Sequence, residues 1–413
     1  MNTNLTTIVV IGAGQAGSWA VRTLRDEGFK GRVVLIGDEP HPPYERPPLS
    51  KAVLSGEATP ESVHLLSAEM MATLSIEWLA STRVAGLDRA AKRVTLTDGQ
   101  TIGYSRLVLC TGGRARALDV PGASLPGVHV LRTIDDALRL APTLRPGTRV
   151  AVVGGGWIGL EVAATARQRG AQTTVIEAMC RLCERSVPVA LSERLLDLHT
   201  AHGTKVLLEA NVASFARMAD GTLMVKLTDG REIVCDVAVV GIGLVPNDEL
   251  ARAAGLHCDG GVLVDAQCRT SDPDVFAAGD LAVARNGWAG RNMRLESWQN
   301  AQEQGIAAAK SVLGVAVHYD PLPWFWSDQY GVNLQIYGVP SPSHQVVVRD
   351  LPAAGSFIFF YLEGERVVAA LGGNAARDLR FARRLIERRT LVSPDSLADE
   401  SVPLAKLSSA IER

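Results

Sequence analysis

No stretch of this sequence approaches the ~20 consecutive apolar residues that a membrane-spanning helix needs. The apolar run after the polar start, residues 8–13, is too short for a signal-peptide core and already runs into a glycine motif; a cytoplasmic protein is expected. Neither sign of charge dominates. Lys and Arg number 42 against 44 Asp and Glu, a formal net charge of −2. That gives no electrostatic case for nucleic acid or an anionic membrane as partner. Cysteine is sparse: Cys110, Cys180, Cys183, Cys235, Cys258 and Cys268 are scattered along the chain, which is no disulfide framework. None precedes Cys110. Cys180 and Cys183 have C-x-x-C spacing, but no second pair or histidine completes a zinc or iron–sulfur set. No metal site is expected, and any iron must sit on a partner.

What is present is the balance of a soluble enzyme: 413 residues, 47% hydrophobic and 21% charged. That length exceeds one ordinary core, so two or three domains are expected. The chain opens with a β-run at 8–11, a glycine turn, a helical stretch at 16–27 and a second β-run at 32–36, together a βαβ unit. A proline-rich segment, 41–48, follows and predicts an extended loop. The pattern then recurs, with a strand at 149–153, a turn at 154–159, a helix at 160–169 and a strand at 173–176. The last ninety or so residues hold aromatic clusters and alternating apolar runs. They read as an antiparallel sheet followed by a helix over 375–389, a third, α+β domain.

Both turns have the spacing G-x-G-x-x-G: Gly12, Gly14 and Gly17, then Gly154, Gly156 and Gly159. The first glycine makes the tight turn, the second lets backbone approach a pyrophosphate, and the third lets helix pack on strand. The helix N-terminus then offers free N–H groups to the anion. One such motif alone is weak. Here each lies between a β-run and a helix, and each is followed about 20 residues on by an acid placed to accept ribose hydroxyls, Asp38 (or its neighbour Glu39) and Glu177. A carboxylate at Glu177 would repel a 2′-phosphate and favours NADH over NADPH, although Arg181 and Arg185 lie close enough to soften that. Two dinucleotide sites in one chain suggest a bound flavin and a diffusible nicotinamide.

The segment 270–280, a β-run ending in Gly279-Asp280, resembles the second FAD signature of the two-dinucleotide-domain flavoproteins. Residues 107–113 and 240–247 resemble that superfamily's two crossover segments. The resemblance implies an α/β fold with two Rossmann-like dinucleotide-binding domains, as in glutathione reductase, plus the C-terminal α+β domain. It places FAD on 1–112 with 241–320, NAD on 113–240, and the third domain at 321–413. Where the superfamily's disulfide reductases and NADH peroxidases carry a redox thiol, this chain has Arg46-Pro47-Pro48-Leu49-Ser50-Lys51. That segment, Gly159-Leu160-Glu161, 132–137 and Phe325-Trp326-Ser327-Asp328-Gln329-Tyr330 together resemble the oxygenase-coupled NADH:ferredoxin reductases. The segment 296–301 is more similar to those of the reductases that serve aromatic-ring dioxygenases than to those that serve cytochromes P450.

By that resemblance Lys51 lies beside the flavin and pairs with Glu161, and Trp326 lies between the flavin and the docking face. Gly12, Gly14, Ala16, Gly17, Asp38, Arg46, Val84, Arg132, Asp280 and Trp298 would contact FAD. Gly154, Gly156, Ile158, Gly159, Glu177, Arg185 and Gly243 would line the NADH site. The implied reaction is hydride transfer from NADH to FAD, then single-electron transfers to a [2Fe–2S] ferredoxin, with a Rieske-type one among the candidates, and through it to a terminal oxygenase. The arginines from Arg377 to Arg389 would steer an acidic ferredoxin, or form a solvated helix face. Rival readings are an NADH oxidase, a rubredoxin reductase, and a redox-controlled binding protein like the apoptosis-inducing factor. Monomer and homodimer both remain open.

Overall fold

The first two β-runs are apolar throughout over residues 8–11 and 33–36, the pattern of strands covered on both faces. In the computed structural model, which describes residues 5–351 and 355–409, they form the strands Thr7–Ile11 and Arg32–Ile36. They pair in parallel with Ile8 opposite Val33. The chain divides into two compact units. One holds the residues to Glu45, Glu61–Arg114 and Val245–Trp324. The other holds Arg46–Pro60, Ala115–Leu244 and Phe325 onward.

The first unit is built on a parallel sheet in the order Val275–Ala277, Arg106–Leu109, Thr7–Ile11, Arg32–Ile36, Ile76–Leu79. Alternate side chains serve opposite faces. Ile8, Val10, Val33 and Leu35 pack under the helices Gln15–Asp26 and Trp298–Val312, with Ala20, Leu24, Ala307 and Ala308. Val9, Ile11, Val34 and Ile36 pack with Val94, Leu96 and Val262. Each such side chain contributes about 1.5–3 kcal/mol by leaving water. The two helices cross closely: a Cβ on Gly305 would lie 2.4 Å from the Ala16 carbonyl oxygen. Buried Gln304 accepts the Gly279 N–H at 2.9 Å and so anchors the turn that carries Asp280.

The second unit repeats the plan, with Lys205–Leu207, Gln172–Ile176, Arg149–Val153, Val237–Val240 and Val128–Val130 in parallel order. The helix Trp157–Gln168 covers one face. The C-terminal strands order as Trp324–Gln329, Val332–Gly338, Arg366–Gly373, Phe357–Glu363 and Gln345–Asp350. Their inner residues Leu334, Ile336, Phe359 and Tyr361 share one core with Val150, Val152 and Leu160. The helix Ala376–Glu387 turns Leu379, Ala382, Leu385 and Ile386 inward. The proline-rich segment carries no regular helix or strand through Arg46 and departs from the extended loop expected over 41–48 only at its end. Pro47–Ser50 is a 3₁₀ turn and Ala52–Ser55 a short helix. Proline fits there because the first residues of a helical turn need no N–H donor. No described helix is long and apolar enough to cross a membrane.

Candidate functional site

In the first turn the three glycines are needed for three different reasons. Gly12 has φ of +110°, and a Cβ there would lie 2.1 Å from the Cys110 carbonyl oxygen. A Cβ on Gly17 would lie 1.9 Å from the Gly12 oxygen. Gly14 differs. It is extended, caps the helix without a side-chain bond, and a Cβ on it would meet nothing within 4 Å. The protein's own packing does not require glycine there. A bare Cα keeps clear the space before the first-turn N–H groups, as a pyrophosphate requires.

The other first-unit candidates lie on separate elements of that unit. Ala16 is buried, and a Cβ on Gly279, next to Asp280, would lie 3.0 Å from its own Cβ. Trp298 opens the helix Trp298–Val312 and donates Nε1–H to Glu45 Oε1 at 3.1 Å. Asp38 is exposed and pairs with Arg83 at 3.0 Å, while Glu39 accepts the Tyr44 hydroxyl at 2.5 Å. Val84 opens the strand Val84–Asp88 and packs on the apolar layer that includes Ile36.

The second turn follows the same plan. Gly154 has φ of +106° and a Cβ there would lie 2.4 Å from the Gly241 oxygen. A Cβ on Gly159 would lie 2.0 Å from the Gly154 oxygen, and one on Gly156 would meet nothing within 4 Å. Glu177 accepts the Gly155 N–H at 2.5 Å and the Met179 N–H at 2.8 Å, which holds its carboxylate against the turn. Ile158 is 45% exposed in the first turn of the helix, an apolar side chain on an open face. Arg185 approaches Gly243: a Cβ there would lie 3.9 Å from Nη2. Arg181 is committed elsewhere, donating to Val187 O, Glu184 O and Ser192 Oγ. Of the two arginines near Glu177, only Arg185 is not tied down by these loop bonds.

Arg46, Lys51 and Arg132 belong to this second unit. Arg46 Nη1 donates to Arg132 O at 2.6 Å, just before the helix Ile134–Leu140, whose start is fixed by a Thr133–Asp136 capping box. Glu161, 2% exposed, is the hub. Its Oε2 lies 2.8 Å from Lys51 Nζ and 2.5 Å from Ser50 Oγ, and its Oε1 accepts Ser327 Oγ at 2.6 Å. A buried carboxylate is tolerable only when its lone pairs are met in this way. Strand alternation puts Phe325, Ser327 and Gln329 on one face of Trp324–Gln329 and half-buried Trp326 on the other. Phe325 meets Trp157, with ring centroids 5.0 Å apart.

The sequence profile of the pyridine nucleotide-disulphide oxidoreductases matches residues 6–305, and that of the reductase C-terminal domain matches 324–408. The chain belongs to the pyridine nucleotide-disulphide oxidoreductase family. It is 42% identical over 397 residues to the ferredoxin–NAD(+) reductase component of the anthranilate 1,2-dioxygenase system of Burkholderia cepacia, covering 96% of this chain and 98% of that one. Rhodocoxin reductase of Rhodococcus erythropolis is 40% identical over 96% of this chain and 93% of its own. Putidaredoxin reductase, solved as a covalent complex with putidaredoxin, superposes with a TM-score of 0.95 at 37% identity, over 99% of both chains. The fold class is as the two turns led us to expect, and FAD and NADH are the two dinucleotides of this pyridine nucleotide-disulphide oxidoreductase.

All six thiols are free. Burial raises Cys110 and Cys183, takes Cys235 to about 11 and Cys268 to about 12, and also raises Cys258. The exposed Cys180 is raised by its hydrogen bond to Glu184. None is a ready thiolate at neutral pH. Cys183 Sγ points at Gly155 O while Cys180 Sγ points at Glu184, so the C-x-x-C spacing builds no joint site. Ser50, Ser327, Gln329 and His199 are the residues that motif reading missed. Ser50, Ser327 and Gln329 lay inside the quoted motifs, and alternation alone could have put Ser327 and Gln329 on one face. Nothing in the sequence marked His199.

Proposed function

We propose that the chain takes hydride from NADH onto FAD and passes the electrons singly to a [2Fe–2S] ferredoxin that supplies an aromatic-ring dioxygenase. When bound, FAD converts a two-electron donor into one-electron steps. The observation that carries this reading is the pair of open glycines, Gly14 and Gly156, each bared toward ligand and not toward protein, in a chain with no reactive thiol to take the electrons. We assign FAD to 1–112 with 241–320 and NADH to 113–240. Gly12, Gly14, Ala16 and Gly17 would hold the flavin's pyrophosphate with Arg46. Asp38 would take the ribose, with Val84, Arg132, Asp280 and Trp298 as further contacts. Gly154, Gly156, Ile158, Gly159, Glu177, Arg185 and Gly243 would hold NADH.

Lys51 supplies a cation at the flavin ring, and Glu161 fixes where that cation stands. Trp326 lines the exit toward the ferredoxin, and the exposed Arg377, Arg380, Arg383 and Arg384 on the helix Ala376–Glu387 favour an acidic partner. The cytoplasm, where NADH is regenerated, is the compartment that fits. The test is a purified, yellow protein whose reduction of cytochrome c by NADH depends on an added [2Fe–2S] ferredoxin. Full turnover with oxygen alone would make it an oxidase, and a flavin-free preparation would refute the assignment.

A further inference from the structure

The Lys51–Glu161 pair occupies one carboxylate oxygen, Oε2. The other opens onto a line of side chains. Ser327 Oγ stands 2.6 Å from Glu161 Oε1, Gln329 Nε2 stands 3.0 Å from Ser327 Oγ, and His199 Nε2 stands 2.8 Å from Gln329 Oε1. Glu161 is 2% exposed, Ser327 0%, Gln329 1% and His199 0%. Water does not compete here, so each donor direction is dictated from the carboxylate outward. An ionised carboxylate only accepts, so the Ser327 hydroxyl donates to it. With its one proton used, Ser327 Oγ accepts from Gln329, which turns the amide nitrogen toward it. Gln329 Oε1 then faces His199, and an amide oxygen only accepts. His199 must therefore carry its proton on Nε2, leaving Nδ1 bare. Nδ1 is buried without a hydrogen-bond partner among the described residues. Burial pushes the ring's pKa down to about 4, so it is neutral at pH 7. The ring packs edge-on to Tyr330 at 5.1 Å, and the Tyr330 hydroxyl pairs with Thr204 Oγ1 at 2.9 Å.

We propose that Ser327, Gln329 and His199 are positioning residues of the reductase: their one-way hydrogen-bond chain pins Glu161 Oε1 so that Oε2 is presented to Lys51, and the charge on Glu161 in turn sets the tautomer of His199. The functional half rests on the reading of Lys51 and Glu161 as the pair at the flavin. The reversal expected on neutralising Glu161 follows from the same geometry. In Glu161→Gln, Lys51 and Ser50 keep the carboxamide oxygen on their side, and its NH₂ faces Ser327. Ser327 then accepts from residue 161 and donates to Gln329, whose amide flips. The Gln329 nitrogen now donates to His199 Nε2, and the ring proton moves to Nδ1.

The experiment is NMR on the FAD-loaded protein labelled with ¹⁵N-histidine, with His199→Phe used to assign the His199 signal among the eight histidines. The wild type is expected to show the Nε2–H tautomer and Glu161→Gln the Nδ1–H tautomer. The same tautomer in both proteins, or Nδ1–H in the wild type, overturns the chain. A second arm follows flavin reduction by NADH in stopped flow. Ser327→Ala is expected to lower the limiting rate by about 10-fold, the worth of one hydrogen bond to a charged group, and His199→Phe by about 5-fold, the worth of one neutral hydrogen bond. The NADH dissociation constant should stay put, and His199→Gln, which keeps a donor and loses the ring, should recover the rate. If Glu161→Gln slows reduction and Ser327→Ala and His199→Phe do not, the positioning role is wrong. If Glu161→Gln reverses the tautomer at an unchanged limiting rate, the chain stands and the assignment of Lys51 and Glu161 to the flavin falls.

Discussion

Replacing Gly156 by alanine should weaken NADH binding without harming the fold, whereas replacing Gly159 should harm the fold itself. Gly156 is in extended backbone, φ −84° and ψ 179°, which alanine adopts freely, and a Cβ there meets no atom within 4 Å. The folded protein should lose only the cap preference, about 0.5–1 kcal/mol. A methyl group in the cradle, however, holds a pyrophosphate off by more than an ångström. That stretches N–H···O contacts near 2.9 Å past useful length. Losing one or two such charge-assisted bonds costs about 2–4 kcal/mol, or about 30- to 1000-fold in affinity. At Gly159 a Cβ would lie 2.0 Å from the Gly154 carbonyl oxygen, with backbone and not a flexible side chain in the way. Strand and helix must separate, at a cost of about 3 kcal/mol or more. Steady-state kinetics with NADH and a thermal melt on each variant separate the two effects. Gly156→Ala should raise KM with Tm within a few degrees of wild type. Gly159→Ala should lower Tm by several degrees. Wild-type NADH affinity in Gly156→Ala would refute the claim that its open face is the pyrophosphate cradle.

Glu177→Ala should lower the preference for NADH over NADPH by about 10-fold in kcat/KM, and adding Arg185→Ala should raise the KM for both coenzymes, since Arg185 is the arginine not tied into the loop. His199 gives a pH dependence whose sign is fixed. Its folded pKa lies near 4, below its ordinary 6.5, so the unfolded chain binds the proton first and stability falls as pH drops from 6.5 through 4. The loss approaches about 3 kcal/mol, and urea melts at pH 7 and pH 4.5 should show it shrinking in His199→Phe. Arg380→Glu with Arg384→Glu should raise the KM for ferredoxin several-fold and flatten its salt dependence, while ferricyanide reduction by NADH stays unchanged. Cys180→Ser with Cys183→Ser should leave ferredoxin reduction at wild-type rate, because neither thiol is a thiolate at neutral pH.

The parts of the fold legible in advance were those governed by local chemistry. Runs such as Val150, Ala151, Val152 and Val153, apolar at every position, announce a strand covered on both faces. The glycine spacings announce strand–turn–helix joints, and Pro47 with Pro48 signalled irregular backbone, though the 3₁₀ turn they begin was read as extended. Of the candidate site, the two turns and their acids could be found because each motif is contiguous or nearly so. The commitment of Arg181 to loop carbonyls could not, since it depends on where the 180–192 loop closes.

By itself the sequence determined that two glycine turns would each lead from a strand into a helix N-terminus and that no thiol would stand where Ser50 and Lys51 do. Both follow from residue identity over a few positions. Only the tertiary structure decided the surroundings of Glu161. Ser50, Lys51, His199, Ser327 and Gln329 come from three distant stretches of chain and meet it because the C-terminal sheet and the helix Trp157–Gln168 share one apolar core. Burial there removes water as an alternative partner, so a carboxylate that would be an ordinary helix-start acid on a surface becomes the group that orients every proton around it.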